Sequence, residues 1–434
     1  MPFSLHSFPR AILHIDGDSF FASCEVAVNP SLRGKPVVTG RERGIASSMS
    51  YDLKAMGVTR GMSLLEIKKI CPSVIIVPSD YETYSLFSKR MYEIVRRYTP
   101  DVEEYSIDEC FADLTGLRRL NRMSYEKIAE KIKHELDSEL GITFSIGLAP
   151  NKVLAKIGSK WQKPSGLTII PGNRVEYYLQ NLAVGKIWGI GPQTSAHLNK
   201  NGIFPALDLA NKPKEWLEGR MRKPYKEIWQ ELRGEFVYPL TLGEKHNYQS
   251  ISKTKTFTPP SKNTEFVFSQ LSKNVENACI KARRHGLATK KVFFFLKTQE
   301  FRYSGLELTL SIPLSTPNEI LRIIRENFSK VFKANTLYRA TGIVLINLEI
   351  DREPQLDLFG KVSELQKWKP VYAAVDMLDS KFGKHTVFLG SSIKSLNGAT
   401  HLTERGVTPA RESKLFRGEN TRQKVGIPML GDVS

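Results

Sequence analysis

The stretch YSIDECFADL, Tyr105 to Leu114, places two carboxylates side by side, Asp108 and Glu109, inside an otherwise strand-like run. Side chains alternate faces along a strand, so adjacent acids point to opposite sides of a sheet. Both serve one site only if the chain bends there, as at a hairpin tip. A third acid, Asp16, closes the short apolar run AILHID and joins them if its strand pairs centrally beside that hairpin. Three converging carboxylates without a lysine repel one another and have raised pKa values unless a divalent cation sits among them. Oxygen-only ligands favour Mg²⁺ or Mn²⁺ over zinc. Two such ions suit in-line phosphoryl transfer. The same acids also read as surface charges at strand ends, and spacing alone leaves that alternative open.

The charge balance narrows the partner. The chain of 434 residues carries a formal net charge of +18, and such an excess points to a polyanion, because each neutralised phosphate releases condensed counterions. Half of it lies between Gln249 and Ile350, where 16 Lys and Arg face 7 Glu and no Asp. Cys24, Cys71, Cys110 and Cys279 are far apart, which suggests neither a zinc site nor a disulfide framework and fits a reducing cytosol. No apolar run approaches the ~18 residues of a membrane span, so a soluble protein without a membrane partner is expected.

Periodicity divides the chain. After AILHID, the run SFFASCEVAV has helical spacing. From Tyr81 to about 172 helices alternate with strands, giving a mixed α/β (α+β) class. VGKIWGIGPQTSAHLNKNGI reads as two helices joined by a hairpin in which Gly189 and Gly191 allow close backbone approach to a DNA phosphate, or as an ordinary helix connection. The block 249–350 reads βαββαβ, a ferredoxin-like arrangement with both helices on one face. Its other face is left for nucleic acid, with Lys253, Lys255, Arg283, Arg284, Lys290 and Lys291 as phosphate contacts. Past Asp351, the short apolar peptide QLDLF reads either as a segment that docks in another protein's groove or as a tail folding back on its own domain. Residues beyond 390 are expected to be loosely ordered.

Four segments, HIDGDSFFASCE, SMSYDLKAMGV, YSIDECFADLTG and NKVLAKIGSKWQKPSG, resemble in order and spacing the signature segments of Y-family translesion DNA polymerases. WGIG, ELRGE and VYAAVDMLDSKFGKHTVFLGSS look more like the catalytic subunit of bacterial DNA polymerase V than polymerase IV. The resemblance implies a right-hand architecture. The palm is 1–19 with 80–172, the fingers 20–79, the thumb 173–245, the little finger 249–350, and 351–434 a tail.

The resemblance also implies roles. Asp16 and Asp108 hold two Mg²⁺ ions with help from the Gly17 carbonyl, and Glu109 holds the ion at the primer 3′-hydroxyl. Phe21 fills the space of a ribose 2′-hydroxyl. Tyr51, Lys54 and Lys163 reach the incoming dNTP. Gln355, Leu358 and Phe359 anchor the chain on the sliding clamp. Primer–template DNA is the substrate, accessory subunits of the polymerase V type are further partners, and the setting is the bacterial cytoplasm and nucleoid. The expected activity is error-prone translesion synthesis in DNA repair and the SOS damage response. Two alternatives are a catalytically weak, clamp-binding scaffold and, more remotely, a nucleotide cyclase. The chain departs from the family in having Lys54 where Arg is usual, which replaces a bidentate fork by a point charge, and Lys160 near a position that commonly carries an acid.

Overall fold

The computed structural model describes residues 7–243, 248–351, 367–382 and 385–397. Contacts divide the chain after Gly243.

In the first unit the apolar run AILHID forms β1 (Ile12–Gly17), buried along its whole length. Two short strands, β2 (Val37–Thr39) and β3 (Ser48–Met49), pair with β4 (Ile75–Val77) in a small separate sheet. Leu53 and Ile67, from the helices Tyr51–Ala55 and Leu64–Ile70, join Val38 in its core. The strands β5 (Val102–Ser106) and β6 (Glu109–Asp113) are a hairpin, followed by β7 (Phe144–Ala149) and β8 (Leu167–Ile169). Together these make a sheet of order β5-β6-β1-β7-β8, with β1 at its centre.

Two helices, Tyr81–Arg96 and Tyr125–Leu140, cover one face and share a core with Leu13, Ile15, Cys110 and Phe144. The helix Lys152–Trp161 covers the other. It lies close because both surfaces lack side chains where they meet: a Cβ on Gly147 would fall 2.0 Å from the Ala155 carbonyl oxygen, and one on Gly158 would fall 3.0 Å from Gly147 Cα. Val153, Leu154 and Ile157 of this helix also enter the core formed by the helices between Val175 and Leu232. The N-terminus of one of these, Pro192–Lys200, follows the turn in which Gly189 adopts φ +88°.

The second unit holds β9 (Ser250–Ser261), the helix Thr264–Arg284, β10 (Leu287–Thr298), β11 (Tyr303–Leu314), the helix Pro317–Asn327 and β12 (Tyr338–Ile350). The element order is the expected βαββαβ, but the strand order is β11-β10-β12-β9. A ferredoxin-like sheet places the first and third strands at its centre; here the second and fourth, β10 and β12, are central. Burial explains the swap. The first eight residues of β12, YRATGIVL, are largely buried and fill the slot between β9 and β10, whereas β11 alternates exposed and half-covered positions along its first seven residues and suits an edge.

The tail through 397 folds back on this unit. Arg283 donates two bonds of 2.7 Å to Asp376, in the helix Trp368–Phe382, and one of 2.9 Å to the Ser315 carbonyl. Ser392 donates to Glu276, and Ser395 N donates to Ser269 Oγ at 2.9 Å. Residues 393–397 are helical, contrary to the expected loose order.

Candidate active site

The opening question has a geometric answer. The β5–β6 hairpin turns at Ile107–Asp108, so Asp108 sits in the turn and Glu109 begins the returning strand. Asp16 and Glu109 are register partners across β1 and β6, and residues directly opposite in antiparallel strands share a face. A bond of 2.8 Å from Gly17 N to the Asp108 carbonyl locks the turn against the end of β1. Ser106 Oγ donates to Asp108 Oδ1 at 2.6 Å, which orients that carboxylate.

Lysines, which the spacing of the acids did not bring into the group, sit among them. Lys163 Nζ is bonded to Asp16 and lies 3.5 Å from Asp18 Oδ1, and Lys156 Nζ donates to Glu109 Oε2 at 2.7 Å. Among the described residues no three acids, cysteines or histidines are gathered as a metal-holding group. The ammonium groups stand where cationic charge is required. Burial, the largest cause, pushes Asp16 up to about 6; Lys163 opposes the rise and Glu109 adds to it. Lys160 is held below its ordinary value, by burial first and then by Lys156.

Asp18 and Lys156 were not singled out in the sequence. Asp18 accepts from Thr143 Oγ1 (3.0 Å), Ser145 Oγ (2.8 Å), Ser165 N (2.7 Å) and Tyr51 Oη (3.2 Å). It thus ties β1 to the segment carrying Lys163 and to the helix carrying Tyr51 and Lys54. Its position two residues after Asp16 was the available signal. Lys156 lies one helical turn from Lys152, whose ammonium donates to Glu103 at 2.6 Å, so a row of lysines on one helix faces the β5–β6 hairpin.

Tyr51 and Lys54 do share a helix face, with Lys54 Nζ 4.0 Å from the Tyr51 ring centre. Burial lowers the Lys54 pKa, Lys163 lowers it further, and Asp18 and Asp16 oppose. Phe21 stacks on Tyr84 at 4.4 Å with an interplanar angle of 11°, and Tyr81 meets its edge at 5.5 Å.

The expected phosphate contacts of the second unit are scattered rather than gathered. Lys253 and Lys255 pair in register with buried Ile343 and Thr341, which puts them on the helix side of the sheet. Arg283 is held by Asp376, which removes it from the expected open face. Lys290 pairs with Glu349 at 3.1 Å and Lys291 with Glu307 at 2.8 Å, while Arg284 is exposed. Gln355, Leu358 and Phe359 lie outside the described residues.

Family models agree with this arrangement. The impB/mucB/samB family matches residues 15–160, and its C-terminal domain matches 248–358. DNA polymerase IV 1 of Bacillus subtilis (strain 168) is 30% identical over 397 residues, spanning 90% of this chain and 95% of that protein. The chain belongs to the Y-family DNA polymerases, the impB/mucB/samB family. DNA polymerase IV of Moorella thermoacetica is 33% identical over 388 residues, spanning 88% and 96%. A solved Y-family DNA polymerase chimera of Dbh and Dpo4 superposes with a TM-score of 0.68 at 25% identity, covering 78% of this chain and 99% of that one. The Bacillus and Moorella relatives carry the polymerase IV name, and the expected likeness to polymerase V finds no support in them.

Asp16 supplies a pH test. Its folded pKa of about 6 lies above the ordinary carboxylate value, so its contribution to stability is complete below that ordinary value and is lost as pH rises through about 6. Asp16→Asn is expected to be more stable than wild type near pH 8 in EDTA, by up to about 3 kcal/mol, with the gap closing towards pH 4. Melting curves across that range check it; an Asn variant no more stable than wild type at any pH contradicts the assignment.

Proposed function

We propose that this Y-family chain is a template-directed DNA polymerase that copies past lesions, adding dNTPs to a primer 3′-hydroxyl. The observation that carries the reading is the cross-strand pairing of Asp16 with Glu109, with Asp108 locked beside them at the hairpin turn. Buried Asp16 and half-buried Glu109, which already draw two ammonium groups, fit an oxygen-bound divalent cation. Asp16, Asp108 and Glu109 would hold Mg²⁺ with the Gly17 carbonyl. Bound there, it supplies Lewis-acid activation of the hydroxyl and charge neutralisation at the triphosphate.

The residues of the chain do the rest. Lys54 and Lys163 flank the carboxylates and present positive charge to the triphosphate, as point charges rather than forks. Tyr51, fixed by Asp18, sets the position of the helix that carries Lys54. Phe21, held flat against Tyr84, walls off the space of a ribose 2′-hydroxyl. Outside the described residues, Gln355 to Phe359 is read as a peptide that recruits the polymerase to a sliding clamp. Intact carboxylates at all three positions weigh against the scaffold reading.

Primer extension with four dNTPs and Mg²⁺ tests the reading. Asp108→Asn keeps size and removes charge, so extension is expected to fall by orders of magnitude while primer–template binding stays near normal; near wild-type extension refutes the assignment. Phe21→Ala is expected to raise rNTP incorporation relative to dNTP, and an unchanged ratio places the wall elsewhere. Converting Leu358 and Phe359 to Ala is expected to abolish stimulation by the clamp and to spare distributive synthesis, whereas equal stimulation of both proteins would assign the peptide to its own domain.

A further inference from the structure

The run VFFFLK in β10 sends its three phenylalanines to alternate sides of the sheet. Phe294 is fully buried in the core of the second unit. Phe293 and Phe295 project on the opposite face, where a solvated antiparallel sheet ordinarily carries polar residues. They lie flat on it: a Cβ on Gly305 would come within 2.6 Å of the Phe293 ring, and one on Gly342 within 2.3 Å of the Phe295 ring. The glycines leave room for the rings to rest on the backbone, with their far faces turned outward. The two rings are 5.9 Å apart at an interplanar angle of 28°, and Tyr303 follows Phe295 at 5.6 Å.

The β10–β11 turn extends the row. Phe301 is 60% exposed and Tyr303 65% exposed. Phe301 holds φ at +66°, a left-handed conformation that costs a bulky residue free energy and clusters at binding sites. Lys297 Nζ lies 4.7 Å from the centres of both the Phe301 and Tyr303 rings, and Arg339 Cζ lies 4.4 Å from that of Phe301. Among the described residues neither cation is paired with a carboxylate, whereas Lys291, further along the same strand, is tied to Glu307.

We propose that Phe293, Phe295, Phe301 and Tyr303 form a stacking platform for unpaired bases of single-stranded DNA, with Lys297 and Arg339 meeting its phosphates. Duplex DNA stacks its bases on one another and presents only edges and backbone, so flat exposed rings match a single strand. The inference rests on the reading of this chain as a DNA polymerase and adds a second, non-catalytic contact for template that has not been paired.

Fluorescence anisotropy on the full chain tests it, using short oligothymidine and an abasic oligomer of equal length and charge. Wild type is expected to bind the base-bearing strand at least about fivefold more tightly. The double change Phe301→Leu and Tyr303→Leu keeps apolar bulk, removes the ring faces, and is expected to erase that preference. Tyr303→Leu alone, at a side chain mostly in solvent, reads the same loss if the double variant melts early. Lys297→Gln is expected to weaken both strands alike and to flatten the salt dependence. Equal binding of the two oligomers by wild type, or a preference that survives loss of the rings, overturns the proposal. So does duplex binding that falls in the ring variants while single strands show no base preference. Wild-type primer extension is run in parallel: discrimination without extension sinks only the polymerase reading, and extension without discrimination sinks only the platform.

Discussion

The candidate active site depends on the antiparallel register between β1 and β6. Slipping that register by one residue would turn Asp16 or Glu109 to the opposite face of the sheet, and no side-chain adjustment would bring them back. The register is held at the site by the Gly17–Asp108 backbone bond and along the strands by the fully buried side chains of Leu13, Ile15, Cys110 and Ala112. Burial of the core on one face thus fixes the positions of the acids at the end of the same strands.

Asp16 is costly to ionise where it stands, and the chain brings lysines to it and to Glu109 from a neighbouring helix and the loop after it. The close approach of Gly147 to Gly158 brings Lys152–Trp161 near enough for the Lys156 ammonium to reach Glu109. The loop that follows returns Lys163 to Asp16. Asp18 braces that loop from the other side with bonds to Ser165, Thr143 and Ser145. The result is a compact group of alternating charges rather than an open cluster of acids. The positive partners are long, flexible side chains with apolar stems and terminal charges.

Much of this was legible in the sequence, and the limits were physical. The bend at Asp108 followed from two adjacent acids in a strand, and the helices Tyr81–Arg96 and Tyr125–Leu140 followed from apolar spacing. The stacking of Phe21 on Tyr84 was not legible, because it joins helices some sixty positions apart. Nor were the ion pairs of Lys156 and Lys163, which depend on the closeness of a helix that two glycines permit. The strand order of the second unit was not legible, because element order does not say which strand fills a gap; only the fuller burial of the first part of β12 against the alternation of β11 separates the arrangements.

The bond between Arg283 and Asp376 has a consequence for where this polypeptide divides. A fragment ending at Ile350, the last residue of β12, would contain every strand of the second sheet, yet leave a largely covered guanidinium without its carboxylate and Glu276 without Ser392. An uncompensated charge of that kind is far more disruptive than a missing loop. The natural cutting point is therefore beyond Asn397: the helix Trp368–Phe382 is largely exposed, but through buried Tyr372 and the Asp376 carboxylate it is fastened to the second unit.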